Sequence, residues 1–206
     1  MFYFVKSPWW LKKWYAGLIW DMPVQEKVLY LSFDDGPHPD ITPFVLDELK
    51  KAGAKGSFFC IGKNVEAYPI LYRRILAEGH RVGNHTQNHY NGWKVSDEAY
   101  FENIRQAAIH IDSNLFRPPY GRIRKRQASW LRHSAGSYKI IMWDVLSADF
   151  DRSLSAEKCA RNVIRNARPG SIIVFHDSEK AFDRLRGALP KVLSHFIKEG
   201  YRFEAL

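Results

Sequence analysis

Cysteine is nearly absent: Cys60 and Cys159 are the only two among 206 residues. Two cannot build a disulfide framework, and neither stands in a C-x-x-C zinc pattern. Cys60 lies in the apolar run 57–61 and reads as a buried core residue. No apolar run approaches the roughly 18 residues of a membrane span. The first twenty residues lack the unbroken apolar stretch and small-residue cleavage site of a secretory signal. A cytoplasmic location, or a peripheral one at the cell envelope, is therefore expected. No zinc finger, homeodomain or other nucleic-acid motif occurs, so no nucleic-acid partner is expected. Linkers, low-complexity tracts and short repeats are missing too. Hydrophobic residues at 46% and charged residues at 26% exclude intrinsic disorder, and the length suits one domain.

Positive charge is in excess, 31 Lys and Arg against 22 Asp and Glu, a net +9. Arg117, Arg122, Arg124, Lys125, Arg126, Arg132 and Lys139 concentrate part of it. That stretch is either a solvated helix face or a patch for an acidic polymer or membrane. Residues 1–26 form an aromatic and basic segment ahead of the domain at 27–206. Trp9, Trp10, Trp14 and Trp20 are four of the seven tryptophans, interrupted by Lys6, Lys12 and Lys13. Such a segment either packs on the domain as a plug or lies on a membrane surface.

From Lys27 onward β-prone runs alternate with helical stretches. Strands are expected at 28–33, 57–61, 80–83, 115–116, 138–145, 171–175 and 201–203. Thr42 and Pro43 read as the cap and first turn of a helix that stops at Gly53. Further helices are expected at 65–78, 97–112, 126–133, 184–198, and from a Ser155 cap to 167. Seven strands alternating with helices imply a parallel α/β sheet or barrel.

The chemically capable side chains follow those strands. Asp34 and Asp35 end the first, His85 and His89 follow the third, and Arg117 follows the fourth. Asp149 comes after the fifth, and His176 with Asp177 ends the sixth. In parallel α/β folds the carboxyl ends of strands share one face, where sites are built. Two histidines four apart share a face if their segment is helical, and a carboxylate from the Asp34–Asp35 pair would complete a His2Asp zinc site with open positions. Adjacent acids on an extended chain point apart, so one can bind metal while the other serves as base. Arg117 before two prolines is either a surface arginine or a rigid clamp on a carboxylate. His176 is either a core-edge histidine or a general acid.

Four stretches, taken together, resemble a known family. They are Ser32-Phe33-Asp34-Asp35-Gly36-Pro37, His85-Thr86-Gln87-Asn88-His89, Arg117-Pro118-Pro119-Tyr120-Gly121 and the run 172–177. They are similar, in order, to four of the five motifs of polysaccharide deacetylases, the NodB-homology group or carbohydrate esterase family 4. The resemblance implies a distorted seven-stranded (β/α) barrel, similar to a TIM barrel, over 27–206. It implies metal-dependent removal of acetyl from N-acetylglucosamine residues of a glycan such as peptidoglycan or chitin. By position, Asp34 matches the catalytic base, and Asp35, His85 and His89 the metal ligands. Arg117 matches the residue orienting the base, the Tyr120 N–H an oxyanion donor, and His176 the general acid. Zinc is expected, with Co²⁺ and Ni²⁺ compatible with the same donors. The fifth motif, Asp-x-x-Asp-Trp, is altered: Leu146 replaces its first acid and Phe150 its tryptophan, while Asp149 remains to tune His176. Phe150 and Val174 are expected beside the acetyl group. Two other readings stand beside this one: a non-catalytic carbohydrate-binding protein on the same scaffold, and a deacylase of a lipid-linked sugar at a membrane surface.

Overall fold

The computed structural model describes residues 3–133 and 137–206; Met1 and Phe2, which open the 1–26 segment, lie outside the described residues. Its elements run α1 (Trp9–Trp14), β1 (Val28–Asp34), α2 (Ile41–Lys51), β2 (Gly56–Cys60), α3 (Gly62–Ala67), α4 (Pro69–Ala77), β3 (Arg81–Asn84), α5 (Asp97–Ala108), β4 (Leu115–Phe116), α6 (Lys125–His133), β5 (Lys139–Ile140), β6 (Val145–Leu146), α7 (Ala156–Asn166), β7 (Ile172–His176), α8 (Phe182–Lys198) and β8 (Arg202–Phe203). Seven strands pair in the order β5-β4-β3-β2-β1-β7-β6, and β8 adds to β1 off this row. Each of these strand pairs is parallel, as right-handed crossovers through outer helices allow. The architecture is the distorted seven-stranded (β/α) barrel. Among the described residues no helix is long and apolar enough to cross a membrane.

Strand alternation explains the two cores. Leu29, Leu31 and Phe33 of β1 join Phe58, Ile173 and Phe175 against the helices. The intervening Val28 and Tyr30 join Phe59, Leu115 and Ile172 on the barrel's inner face. Both faces are buried, so β1 and β7 read as nearly unbroken apolar runs. The inner face turns polar toward the carboxyl end of β1, at Ser32 and then Asp34. A site is therefore confined to one end of the barrel.

Three expectations shift, and one condition is not met. The run 138–145 is two strands, because Ile141 N–H donates to Phe116 O of β4 while Asp144 N–H donates to Ile172 O of β7. A single strand cannot lie at both edges of the sheet, so the chain crosses the seam in between. The helix expected at 65–78 breaks at Tyr68, whose φ of −128° is what a following proline imposes. Thr42 sits inside α2 and not at its cap; its hydroxyl accepts from His38 N–H and donates to Asp177. Lastly, His85 to His89 is a loop with Thr86 and His89 at φ 65° and 57°, not a helix.

The N-terminal segment fills the seam. Ile19 N–H donates to Ile140 O, Met142 N–H to Ile19 O, Ser7 N–H to Asp144 O and Leu146 N–H to Val5 O. Beneath it the fully buried Asp144 accepts from Lys6 and Lys12, each at 2.5 Å, and from Ser171 at 2.6 Å. Removing one partner of a buried pair leaves the other uncompensated. Asp144→Ala should lower the unfolding free energy by about 2–3 kcal/mol, the partial exposure of both lysines reducing the full cost. Urea unfolding followed by far-UV circular dichroism measures it; a variant as stable as wild type would mean that the seam does not depend on this pair.

Candidate active site

Asp34 and His176 are register partners at the ends of β1 and β7. Asp34 is held from below by Arg117, whose Nη1 donates to Asp34 Oδ1 at 2.7 Å and to Ser32 Oγ at 2.8 Å. Arg117 is fully buried; its Nε and Nη2 donate to the carbonyls of Ile141 and Met142, and its guanidinium lies 4.0 Å over the Phe59 ring. The arginine is thus a clamp inside the barrel. Each of its three nitrogens donates to an oxygen, which is what makes burial of the charge tolerable.

After Asp34 the chain turns sharply, with Asp35 at φ 80°. The turn is pinned from the neighbouring strand. Asp177 N–H donates to Asp34 O, and Asp177 Oδ1 accepts from Gly36 N–H at 3.1 Å. Any side chain at Gly36 would collide with that carboxyl, since a Cβ would come within 2.1 Å of Asp177 Oδ2. Burial pushes Asp177 up to about 8, against the Thr42 hydrogen bond and reinforced by the charges of Asp35 and Asp34. Sequence reasoning noted Asp177 only as the neighbour of His176. Its holding role, like that of Ser32 and Thr42, depends on partners far along the chain; adjacency to His176 was the one available signal.

The turn aims Asp35 at the two histidines. One donor atom from each of Asp35, His85 and His89 lies within 4.8 Å of the others. Asp35 Oδ1 stands 3.1 Å from His89 Nε2 and 3.7 Å from His85 Nε2, buried and without a well-aligned hydrogen-bond donor. His85 Nδ1–H donates to Arg117 O at 2.7 Å, which leaves a lone pair on Nε2 facing the carboxylate. Burial holds His85 down at about 4, so this imidazole is neutral. For Asp35, burial opposes ionisation, but His89, His176 and His85 outweigh it and hold the carboxyl below the usual range. Two lone-pair donors converging on an orphaned carboxylate oxygen fit a cation, and an N,N,O set suits zinc, cobalt or nickel. His89 Nδ1 lies 3.1 Å from the Tyr120 hydroxyl.

Asp149 is fully buried and grips His176 twice: Oδ2 accepts from His176 N–H at 2.8 Å and Oδ1 pairs with Nδ1 at 2.7 Å. Burial lowers the imidazole's basicity, but the charge and hydrogen bond of Asp149, then Asp35 and Asp34, raise it to about 9. Phe150 packs edge-on against the His176 ring at 5.4 Å. Among the described residues, five of the six non-glycine residues with positive φ, Asp35, Thr86, His89, Tyr120 and Ala148, lie in these loops, a concentration of backbone strain at the site. Asp34, Asp35, His85, His89, Tyr120, Phe150, Val174 and His176 line one cavity of about 780 Å³. Arg117 and Asp149 lie beneath its floor.

Comparison with known proteins agrees with this arrangement. The family model described as polysaccharide deacetylase matches residues 21–138, more than half of the chain. The chain belongs to the polysaccharide deacetylase family. A peptidoglycan-N-acetylglucosamine deacetylase of Bacillus cereus is 35% identical over 190 residues, covering 89% of this chain and 88% of the relative. A chitooligosaccharide deacetylase of Azorhizobium caulinodans is 32% identical over 177 residues, covering 81% of this chain and 83% of that one. The crystal structure of the Bc1960 peptidoglycan N-acetylglucosamine deacetylase, in complex with a naphthyl-substituted N-hydroxybenzamide, superposes with a TM-score of 0.87. The match has 32% identity and covers 97% and 95% of the two chains.

The grip on His176 is testable in this deacetylase fold. In the metal-free protein, the His176 imidazole should titrate near pH 9, read from its ring ¹⁵N shifts by NMR. Asp149→Asn removes the carboxylate's charge and should move that midpoint downward. A raised folded-state value stabilises fully below the unfolded value of 6.5 and loses that contribution as pH rises through about 9. A His176 midpoint unchanged in Asp149→Asn would show that the carboxylate does not set it.

Proposed function

We propose that this chain is a metal-dependent N-deacetylase acting on N-acetylglucosamine residues of a glycan, releasing acetate and a free amino sugar. The observation carrying the proposal is the convergence, in one cavity, of an arginine-clamped Asp34, an Asp35–His85–His89 cluster and a carboxylate-paired His176. The named relatives, deacetylases of peptidoglycan and of chitooligosaccharide, support the substrate class. A divalent ion held by Asp35, His85 and His89 would supply Lewis-acid polarisation of the acetamide carbonyl and of the attacking water.

The remaining work falls to the chain's own groups. Arg117 engages Asp34 Oδ1 and fixes the carboxylate, which takes a proton from the attacking water as its oxygen bonds to the carbonyl carbon. The Tyr120 N–H stabilises the oxyanion that results. His176, protonated at neutral pH with its Nδ1 tied to Asp149, presents Nε2–H to the nitrogen of the sugar as the C–N bond breaks. Phe150 and Val174 wall the acetyl group. Phe150 keeps an apolar surface where the family motif carries tryptophan.

Acetate release from a panel of N-acetylated glycans, with zinc-loaded protein, tests this reading. Wild type should turn over at least one glycan. Asp34→Asn should retain zinc while losing about 10²-fold or more in kcat, since an amide does not accept the proton. His89→Ala should lose stoichiometric zinc, as two ligands make a poor site. Glycan binding without acetate release by the zinc-loaded wild type would instead support non-catalytic carbohydrate binding. Unchanged zinc content in His89→Ala would overturn the ligand assignment.

A further inference from the structure

We propose that the active-site cleft has a second, apolar arm, built by the N-terminal segment, which receives an apolar chain attached to the acylated sugar. The preferred substrate is then an amphiphilic glycoconjugate. This inference rests on the deacetylase reading and specifies its substrate class.

The cavity that holds Asp34, Asp35 and His176 runs without interruption to Phe4, Trp10, Leu11, Trp14 and Leu18 of the N-terminal segment. Trp93, Ile123, Met142 and Trp143 also line it. Several of the large rings are left open to solvent: Phe4 is 38%, Trp10 50%, Trp14 67% and Trp93 49% exposed. Aromatic surface left uncovered along a concave wall is costly, and it marks a binding surface. Because the groove is continuous with the catalytic centre, its occupant is part of the molecule being hydrolysed.

The chemistry of the wall selects an apolar occupant. A sugar ring carries hydroxyls around its rim, each needing a partner when removed from water. Three of the arm's donors are spent within the protein. Tyr3 OH donates to Asp151 Oδ2, Ser7 Oγ–H to Trp143 O, and Trp20 Nε1–H to Tyr15 O. What remains is mostly ring and alkyl carbon, interrupted by the indole N–H groups of Trp10, Trp14, Trp93 and Trp143 and by the Arg122 guanidinium. The arm is also preformed. Ser7, Ile19 and Met22 N–H groups donate to the barrel and Val5 O accepts from it, and Lys12 pairs with both Asp21 and Asp144. Little ordering cost therefore accompanies occupation.

The test compares acetate release by zinc-loaded enzyme from the methyl and octyl β-glycosides of N-acetylglucosamine, below micelle-forming concentrations, and from an N-acetylated tetrasaccharide. Wild type should favour the octyl over the methyl glycoside by about tenfold or more in kcat/KM, the methylenes acting mainly through KM. In Trp10→Ala/Trp14→Ala, shown to be folded by its thermal transition, that ratio should fall below about threefold. Tryptophan fluorescence titration with the octyl glycoside supplies a binding readout independent of turnover. Equal kcat/KM for the two glycosides overturns the proposal, as does an octyl preference that survives in the double variant. A tryptophan-dependent preference for the tetrasaccharide alone would make the arm a sugar platform and overturn it likewise. If no substrate yields acetate while octyl binding still depends on Trp10 and Trp14, the deacetylase reading fails and the apolar arm stands.

Discussion

A guanidinium held out of water inside a barrel must find oxygens for its N–H groups, and Arg117 does so by reaching two separate parts of the fold. Ser32 and Asp34 belong to β1, and the carbonyls of Ile141 and Met142 belong to the stretch that crosses the seam. Its backbone extends the reach: Arg117 N–H donates to Asn84 O of β3, and its own carbonyl receives His85 Nδ1–H. One residue therefore orients both a candidate base and a candidate metal ligand, and it does so only when the barrel is closed around it. Desolvation makes any partial version of this arrangement unfavourable, so site geometry and fold closure are energetically the same event.

The polar end of the barrel arises from strand alternation. The residues of β1 that point inward run from apolar Val28 and Tyr30 to Ser32 and Asp34, so polarity appears only at the carboxyl end. There the loops leave the sheet through left-handed residues, which bend the chain back over the barrel mouth and bring Asp35 and His89 within 3.1 Å. Non-glycine residues adopt that conformation at a cost of about 1 kcal/mol or more each. The compensating contacts are visible in the Asp177 grip on Gly36 N–H and in the Asp149 grip on His176.

Much of this was legible in the chain. Side chains directly after β-prone runs converge in any parallel barrel, so Asp34, Asp35, His85, His89, Arg117, Asp149 and His176 could be named from position and chemistry. The motifs and their order then pointed to the family. Local pattern failed where the deciding partner is distant. The run 138–145 has uninterrupted strand character, yet its two halves pair with β4 and β7 on opposite edges. Histidines four apart would share a face on a helix, whereas the cluster is assembled by a strained loop. Asp177 carried no local mark of its contacts to Thr42 and Gly36, which lie 135 and 141 residues away. Asp144 likewise gave no hint that Lys6 and Lys12 would converge on it.

The seam also sets an order of events during synthesis. Residues 5–22 leave the ribosome before the strands they dock on, since their hydrogen-bonding partners lie at 140–146 and at Gly170, and the Lys6–Asp144 contact spans 138 residues. The segment therefore has nothing to dock against until most of the barrel strands exist. Trp20, buried in the folded chain, has no cover in the nascent chain throughout that interval. Long-range closure of this kind is slow and leaves apolar surface open to association. The lysines interspersed among the segment's tryptophans, which later pair with Asp144 and Asp21, break that apolar surface with charge, the placement expected of gatekeeping residues.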